Sequence, residues 1–135
     1  MGQQQLLLLV LSAIIVGVSI VVGINMFSTN AYQANRENVI QEAVTIGAKA
    51  QEWYRKPTML GGGGRSFATL TNLTSIGASG VTANGTYTLE GLAAGQFDIR
   101  AIGVEADATG DTLEFTVRVF PDSVGNPTWV NAGEL

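Results

Sequence analysis

The first 35 residues of this chain carry no charged side chain, and this constrains the fold more than any other sequence feature. All seven Lys and Arg residues and all eleven Asp and Glu residues lie at or beyond Arg36. Within the uncharged part, the run from Leu6 to Ile24 is almost entirely aliphatic. As a helix it would extend about 28 Å, close to the roughly 30 Å hydrocarbon thickness of a bilayer. A helix that is apolar on every face must be surrounded by lipid or by protein.

Three interpretations of this apolar helix are open. A cleaved secretory signal is disfavoured, because residues 1–5 contain none of the basic side chains that precede the apolar core of a signal peptide. A single-pass anchor normally has Lys or Arg on its cytoplasmic flank, and residues 1–5 supply none. The third interpretation, which the sequence favours, is a helix that leaves the membrane and packs into a bundle of identical helices.

The helix is predicted to continue well beyond the apolar run. No proline occurs before Pro57, and apolar residues recur at intervals of mostly three and four along residues 28–56. Pro57 and the glycine run at 61–64 end the helix. The apolar stripe of this amphipathic part needs a partner, and we predict that it forms the core between helix and sheet. Its residues are Val39, Ala43, Ile46, Ala50 and Trp53.

The last third of the chain changes to a period of two, which is typical of β-strands. The clearest strand is 112–120, and a second runs from 96 to 104 with a phase slip that predicts a bulge at Gly103. Shorter candidates span 86–90 and 127–131. The connections are too short for crossover helices, so the strands are expected to form an antiparallel meander.

These patterns predict an α+β fold, with a long N-terminal helix packed on a C-terminal antiparallel β-sheet. They divide the chain into four segments. Residues 1–27 are expected to form a hydrophobic helix that anchors the chain in a membrane and then packs into a core of identical helices, and residues 28–56 form the amphipathic half of the same helix. Residues 57–85 form a connecting loop rich in Gly, Ser and Thr, and residues 86–135 form the sheet.

This organisation resembles that of the type IV pilin family. Gly2, the apolar run Leu6–Ile24 and the continuation of the helix to Lys56 carry the resemblance, and the stretch VLSAIIVGVSIVVG at residues 10–23 is similar to the family's hydrophobic segment in composition and phase. Beyond residue 56 the likeness is architectural. It implies a structural subunit of an extracellular filament that serves adhesion, motility or surface attachment.

The resemblance also implies partners and a location. Identical subunits would lie in the inner membrane before assembly. The pilus assembly machinery, made of other proteins, would then build them into a filament at the cell surface. Two alternatives remain open at this stage. One is a pseudopilin of a secretion system, and the other is a monomeric, membrane-anchored binding domain.

In the type IV pilin family a leader is removed after a glycine, the new N-terminus is methylated, and a glutamate lies five residues in. Two mappings onto this chain are open. If Met1 is the first mature residue, Gln5 replaces that glutamate; if cleavage follows Gly2, Leu7 does. Either way the carboxylate is missing, which avoids the cost of burying a charge. The residues assigned to assembly are Met1, Gln3, Gln4, Gln5, Leu6, Leu9, Ile14, Gly17 and Gly23.

The glutamines at positions 3–5 can accept and donate hydrogen bonds without a charge. We expect them either to register neighbouring subunits or to lie at the membrane interface. Gly17 and Gly23 are the weakest helix formers of the apolar segment. The helix is expected to be continuous there or to unwind locally.

Composition excludes several function classes. The chain contains neither Cys nor His, which removes disulfides, thiolate chemistry and the commonest general base and metal ligand. We expect no enzyme activity, no cofactor and no metal site. A net charge of −4 disfavours a nucleic-acid partner. Asn72 and Asn84 each begin an Asn-X-Thr sequon, which makes them candidate glycosylation sites, although so short a motif also arises by chance.

Overall fold

The computed structural model describes residues 2–107 and 109–131. Four strands form one antiparallel sheet in which each strand pairs with the next along the chain, and a long helix packs across one face of this sheet. The predicted α+β class is therefore confirmed. The elements are the helix α1 (Gly2–Arg55), β1 (Gly85–Glu90), β2 (Phe97–Ala106), β3 (Thr112–Val119) and β4 (Thr128–Asn131).

The central strand pair has a regular register with one interruption. Phe97 pairs with Val119 and the register continues to Ile102, which pairs with Glu114. It then shifts before Ala106, so a bulge lies where the phase of the sequence pattern slips at Gly103. A Cβ atom at Gly103 would lie 2.5 Å from Asn35 Oδ1 of the helix, so only glycine fits this close approach.

The core lies between the second half of the helix and the inner face of the sheet. All five residues predicted for this core, at positions 39, 43, 46, 50 and 53, are buried. Alternate residues of β2 and β3 face them, as the period of two requires. The buried strand residues are Phe97, Ile99, Ala101, Leu113, Phe115, Val117 and Val119.

The connecting segment 57–85 contributes to the core instead of only linking helix to sheet. It contains two short 3-10 turns, Thr58–Leu60 and Leu73–Ile76. Phe67 and Leu70 are fully buried in this segment. The Phe67 ring lies 4.7 Å from that of Tyr54 on the helix and 4.9 Å from that of Phe97 on β2, measured between ring centroids. This side chain therefore joins the helix to the sheet.

The glycine run folds back over the end of the helix. The last carbonyls of a helix have no partner within it and need hydrogen bonds from elsewhere. Gly63 N–H donates to Trp53 O at 2.9 Å, and Gly64 N–H donates to Lys56 O at 3.0 Å. A Cβ at Gly63 would lie 2.3 Å from the Trp53 ring, so the segment fits this tightly only because that position is glycine.

The outer face of the sheet is polar. Arg100 on β2 forms ion pairs with Glu90 on β1 and Glu114 on β3. Arg118 on β3 pairs with Asp98 on β2 at 2.9 Å. Opposite charges on neighbouring strands suit a surface in water, so this face needs no further protein layer.

Candidate functional site

The first half of α1 packs against nothing else in the described chain. Every residue from Gly2 to Asn30 is exposed, and we call this segment the bare half of the helix. Packing against the sheet begins at Tyr32, so Ala31–Arg55 is the covered half. The most apolar stretch of the bare half has a mean hydropathy of 3.0, and none of it is buried. By its length and composition it could cross a membrane.

The structure places the predicted assembly residues along the bare half. The intervals between Leu6, Leu9, Ile14, Gly17 and Gly23 are 3, 5, 3 and 6 residues, so at about 100° per residue these side chains spread over about half of the helix circumference. Gln3, Gln4 and Gln5 lie in the first turns and are exposed. Met1 lies outside the described residues. Every described residue of the bare half is exposed, and a helix that is apolar on all faces must be enclosed on all sides.

The bare half is helical throughout, including at both of its inner glycines. The helix continues through Gly17 and Gly23, where an added Cβ would meet nothing within 4 Å. The hydroxyls of Ser12 and Ser19 donate to the carbonyls of Leu8 and Ile15, each at 2.8 Å. Because these hydroxyls find partners within their own helix, they can enter an apolar environment without an unmet hydrogen bond.

Asn35 fixes the start of the covered half to the sheet. Its side chain is almost fully buried and donates to Asn84 O at 2.7 Å. Its Oδ1 accepts from the backbone N–H groups of Val104 and Glu105 at the β2 bulge. A buried amide is stable only when its donors and acceptors are paired, and here the bulge supplies N–H groups that the strand ladder leaves free.

A second polar group, Glu42, binds the segment before β1. Its carboxylate accepts hydrogen bonds from Thr82 Oγ1 and Asn84 Nδ2, both at 2.8 Å, and from the Tyr87 hydroxyl. Burial raises the pKa of Glu42, but the three donated hydrogen bonds together outweigh burial and hold the pKa below its ordinary value of 4.5. The same contact and burial raise the pKa of Tyr87. Glu42 is therefore an ionised link between helix and sheet, and we call this carboxylate with its three hydrogen bonds the Glu42 clasp.

The two sequon asparagines lie in different environments. Asn72 is exposed immediately before the second 3-10 turn. Asn84 is partly buried, and its side-chain nitrogen is the atom that donates to Glu42. An N-linked glycan attaches to that nitrogen, so Asn72 is the more accessible of the two candidates.

Sequence reasoning did not single out Asn35 or Glu42. Asn35 lies four residues before Val39 and continues the predicted apolar stripe, and Glu42 lies at the edge of that stripe. Their spacing therefore indicates the sheet-facing side of the helix, although polar side chains are not expected there. Arg36, the first charged residue of the chain, places its guanidinium over the Trp129 ring, 4.4 Å from the centroid. The covered half is thus held by polar contacts at its edges as well as by its apolar stripe.

Three comparisons with known proteins found no match: not among protein-family models, not among curated proteins and not among solved structures.

Proposed function

We propose that this chain is the structural subunit of a type IV pilus-like extracellular filament that serves adhesion, motility or surface attachment. Before assembly the bare half would lie in the inner membrane. During assembly, driven by other proteins of a pilus machinery, it would exchange lipid for the bare halves of identical subunits. The filament core would then be a bundle of apolar helices, with the sheets forming the outer layer.

The observation that carries this proposal is that one unbroken helix is fully exposed in its first half and packed against the sheet in its second half. The bare half is about 43 Å long at 1.5 Å per residue, and it is exposed on all faces. Exposed apolar surface on this scale marks a membrane or protein interface. A simple anchor requires only the apolar span, whereas here the span continues without a break into the helix that packs the sheet. That rigid connection favours a subunit whose helix and sheet must keep a fixed relation, as packing in a regular polymer demands.

Because the first 35 residues contain no carboxylate, the proposal assigns the contact between neighbouring N-terminal segments to the glutamines at positions 3–5. In a bundle of bare halves, the amides at positions 3–5 would lie directly before the apolar run that begins at Leu6, beside apolar side chains of neighbouring helices. Hydrogen bonds between amides of neighbouring subunits would set their axial register without a buried charge. Such a contact is weaker than a charge pair, so register would also depend on other parts of the subunit.

The direct test is electron microscopy of material sheared from cells that produce the full chain. The expected result is long filaments in which mass spectrometry finds this chain as the main component. Confinement to the envelope in short rods would indicate a pseudopilin instead. A monodisperse protein that stays in the membrane fraction would indicate an anchored binding domain, and either result would overturn the proposal.

A triple substitution tests the role of the glutamines. Replacing Gln3, Gln4 and Gln5 together with Leu is expected to leave membrane insertion intact, because the helix becomes more apolar, and to lower filament yield severalfold. The matched control replaces Gln33 and Gln41 with Leu, since these glutamines are exposed on the covered half. Normal filament yield from the triple variant would show that the glutamines are only interfacial.

A further inference from the structure

The two ends of the sheet-bearing domain carry opposite charge. The end farther from the bare half includes Arg55, Lys56 and Arg65, all exposed. Next to them the apolar side chains of Met59 and Leu60 are 95% and 66% exposed. We call these five residues the basic tip.

The three cations of the basic tip outnumber the two carboxylates near them, and no ion pair among the described residues includes a residue of the tip. Glu52 and Asp122 lie at the same end, since Gln51 donates to Phe120 O and Ser123 O on either side of Asp122. The ion pairs among the described residues all lie on the outer face of the sheet, and none includes a residue of the tip. Its three cations are thus available to an external partner.

The backbone conformation of Arg65 supports a functional role for the charged side chain of this residue. Arg65 has a φ of 65°, and it is the one non-glycine residue with positive φ in residues 2–107 and 109–131. This left-handed region disfavours side chains with a Cβ, and glycine would occupy it with less strain. The preceding residues are four glycines, yet an arginine occupies the strained position. A strained side chain held at the surface points to a contact outside the fold.

The opposite end of the domain is acidic. The hairpin that joins β2 to β3 carries Glu105, Asp107 and Asp111, and we call these three residues the acidic hairpin. Asp107 Oδ1 accepts from the N–H groups of Thr109 and Asp111, which fixes the turn. Glu105 and Asp111 are exposed. Arg36 is the nearest cation on the helix, and it lies over the Trp129 ring.

The helix places these two surfaces at opposite ends along its axis. Asn35 contacts Glu105 N–H, so the acidic hairpin lies beside the beginning of the covered half. The basic tip lies where the helix ends, at Arg55. Twenty residues of helix separate the two levels, which corresponds to about 30 Å. A basic tip and an acidic hairpin of one subunit therefore cannot meet each other.

Resting on the proposed filament, we propose that the basic tip of one subunit docks against the acidic hairpin of a second copy displaced along the filament axis. The occupant is another copy because the chain itself carries both halves of the complementary pair, at levels that axial stacking brings together. Met59 and Leu60 would pack against the aliphatic Val104, which is 53% exposed beside Glu105. This contact would supply axial register in the outer layer of a polymer whose core lacks a charge pair.

Charge reversal and its rescue test the docking. The tip variant carries Lys56→Glu and Arg65→Glu, and the hairpin variant carries Glu105→Lys and Asp111→Lys. Each is expected to lower filament yield about tenfold, because like charges then face each other, and a tenfold loss corresponds to about 1.4 kcal/mol per contact. Combining all four substitutions should restore most of the yield. The control Asp122→Lys shifts net charge in the same direction as the hairpin variant and should assemble normally.

Arg65→Gly removes the charge without a risk to folding. Glycine relieves the positive φ, so the domain should unfold at equal or higher urea concentration than the unsubstituted chain. Filament yield should nevertheless fall. A variant that is at least as stable but assembles less well separates docking from folding.

A zero-length carbodiimide crosslink reads the contact directly. In filaments, Lys56 should become joined to Glu105 or Asp111, and the separation along the helix means that such a product links two copies. Full yield from both reversal variants, or failure of the combined variant to recover together with absence of this crosslink, would overturn the docking alone. Absence of filaments from the unsubstituted chain would instead overturn the proposed function, and the docking with it.

Discussion

The two halves of α1 have the same backbone geometry but meet different surroundings. The covered half buries one stripe and binds the sheet through polar side chains on either side of that stripe. The bare half has no stripe, because its apolar residues surround the axis. Secondary structure alone therefore says little about what a helix does. The apolar surface that a helix leaves uncovered shows which side chains need lipid or protein around them, and here that surface is the whole circumference of the bare half.

This contrast predicts that identical substitutions have different effects in the two regions. Both tryptophans of the chain, Trp53 and Trp129, lie in the sheet-bearing domain, so their fluorescence reports the unfolding of that domain. Urea unfolding of the full chain in detergent micelles can thus measure the domain while the bare half remains in detergent.

The largest difference is expected for a phenylalanine in each region. Phe67→Ala removes a fully buried ring from between Tyr54 and Phe97 and should lower the unfolding free energy of the domain by about 4 kcal/mol. Phe27→Ala is the matched control, since that ring is 77% exposed on the bare half, and it should change the value by less than about 0.5 kcal/mol. Equal effects would mean that the bare half packs on the domain.

Replacing one glycine in each region with alanine is expected to have an intermediate effect on the unfolding free energy of the domain. Gly103→Ala pushes a methyl group against Asn35 Oδ1 and disturbs its bonds to the bulge, which should cost about 2 kcal/mol in the same urea experiment. Gly17→Ala meets no neighbour within 4 Å. It should raise helix content by circular dichroism, because alanine is favoured over glycine by about 1 kcal/mol, and leave domain unfolding unchanged. A stable Gly103→Ala variant would contradict the close approach at the bulge.

The smallest expected effect concerns the Glu42 clasp. A pKa lowered by folding means that the carboxylate stabilises the domain above its unfolded pKa and loses this contribution as pH falls through the folded pKa. Stability should therefore decline below about pH 4.5. Glu42→Gln should cost about 1 kcal/mol at pH 7 and flatten this decline. Glu37→Gln, on the exposed helix surface, is the control and should retain the decline.

The sequence predicted the elements with clear periodicity. The helix was expected to end at Lys56 and ends at Arg55, and the strand expected at 96–104 extends from Phe97 to Ala106. The stripe of the covered half and the meander order follow from periods of 3.6 and two combined with short connections. These signals are local, so a single sequence can carry them.

The connector and the polar contacts could not be predicted in the same way. Phe67 and Leu70 are isolated apolar residues in a segment rich in Gly, Ser and Thr, and no period indicates that they turn inward. The roles of Asn35 and Glu42 depend on β1 and the β2 bulge, which lie more than 39 residues away in the chain. Such contacts depend on tertiary geometry that neither composition nor spacing specifies.

The attachment of the sheet at two levels of the helix has a mechanical consequence. Asn35 holds one end of the sheet and Gln51 holds the other, through hydrogen bonds to Asn84 and Val104 and to Phe120 and Ser123. Two attachment points about 24 Å apart along the axis restrict rotation of the sheet relative to the helix more than a single attachment point would. When the helix rotates, the sheet rotates with it. A rotation of the bare half about its axis would therefore be transmitted to the sheet.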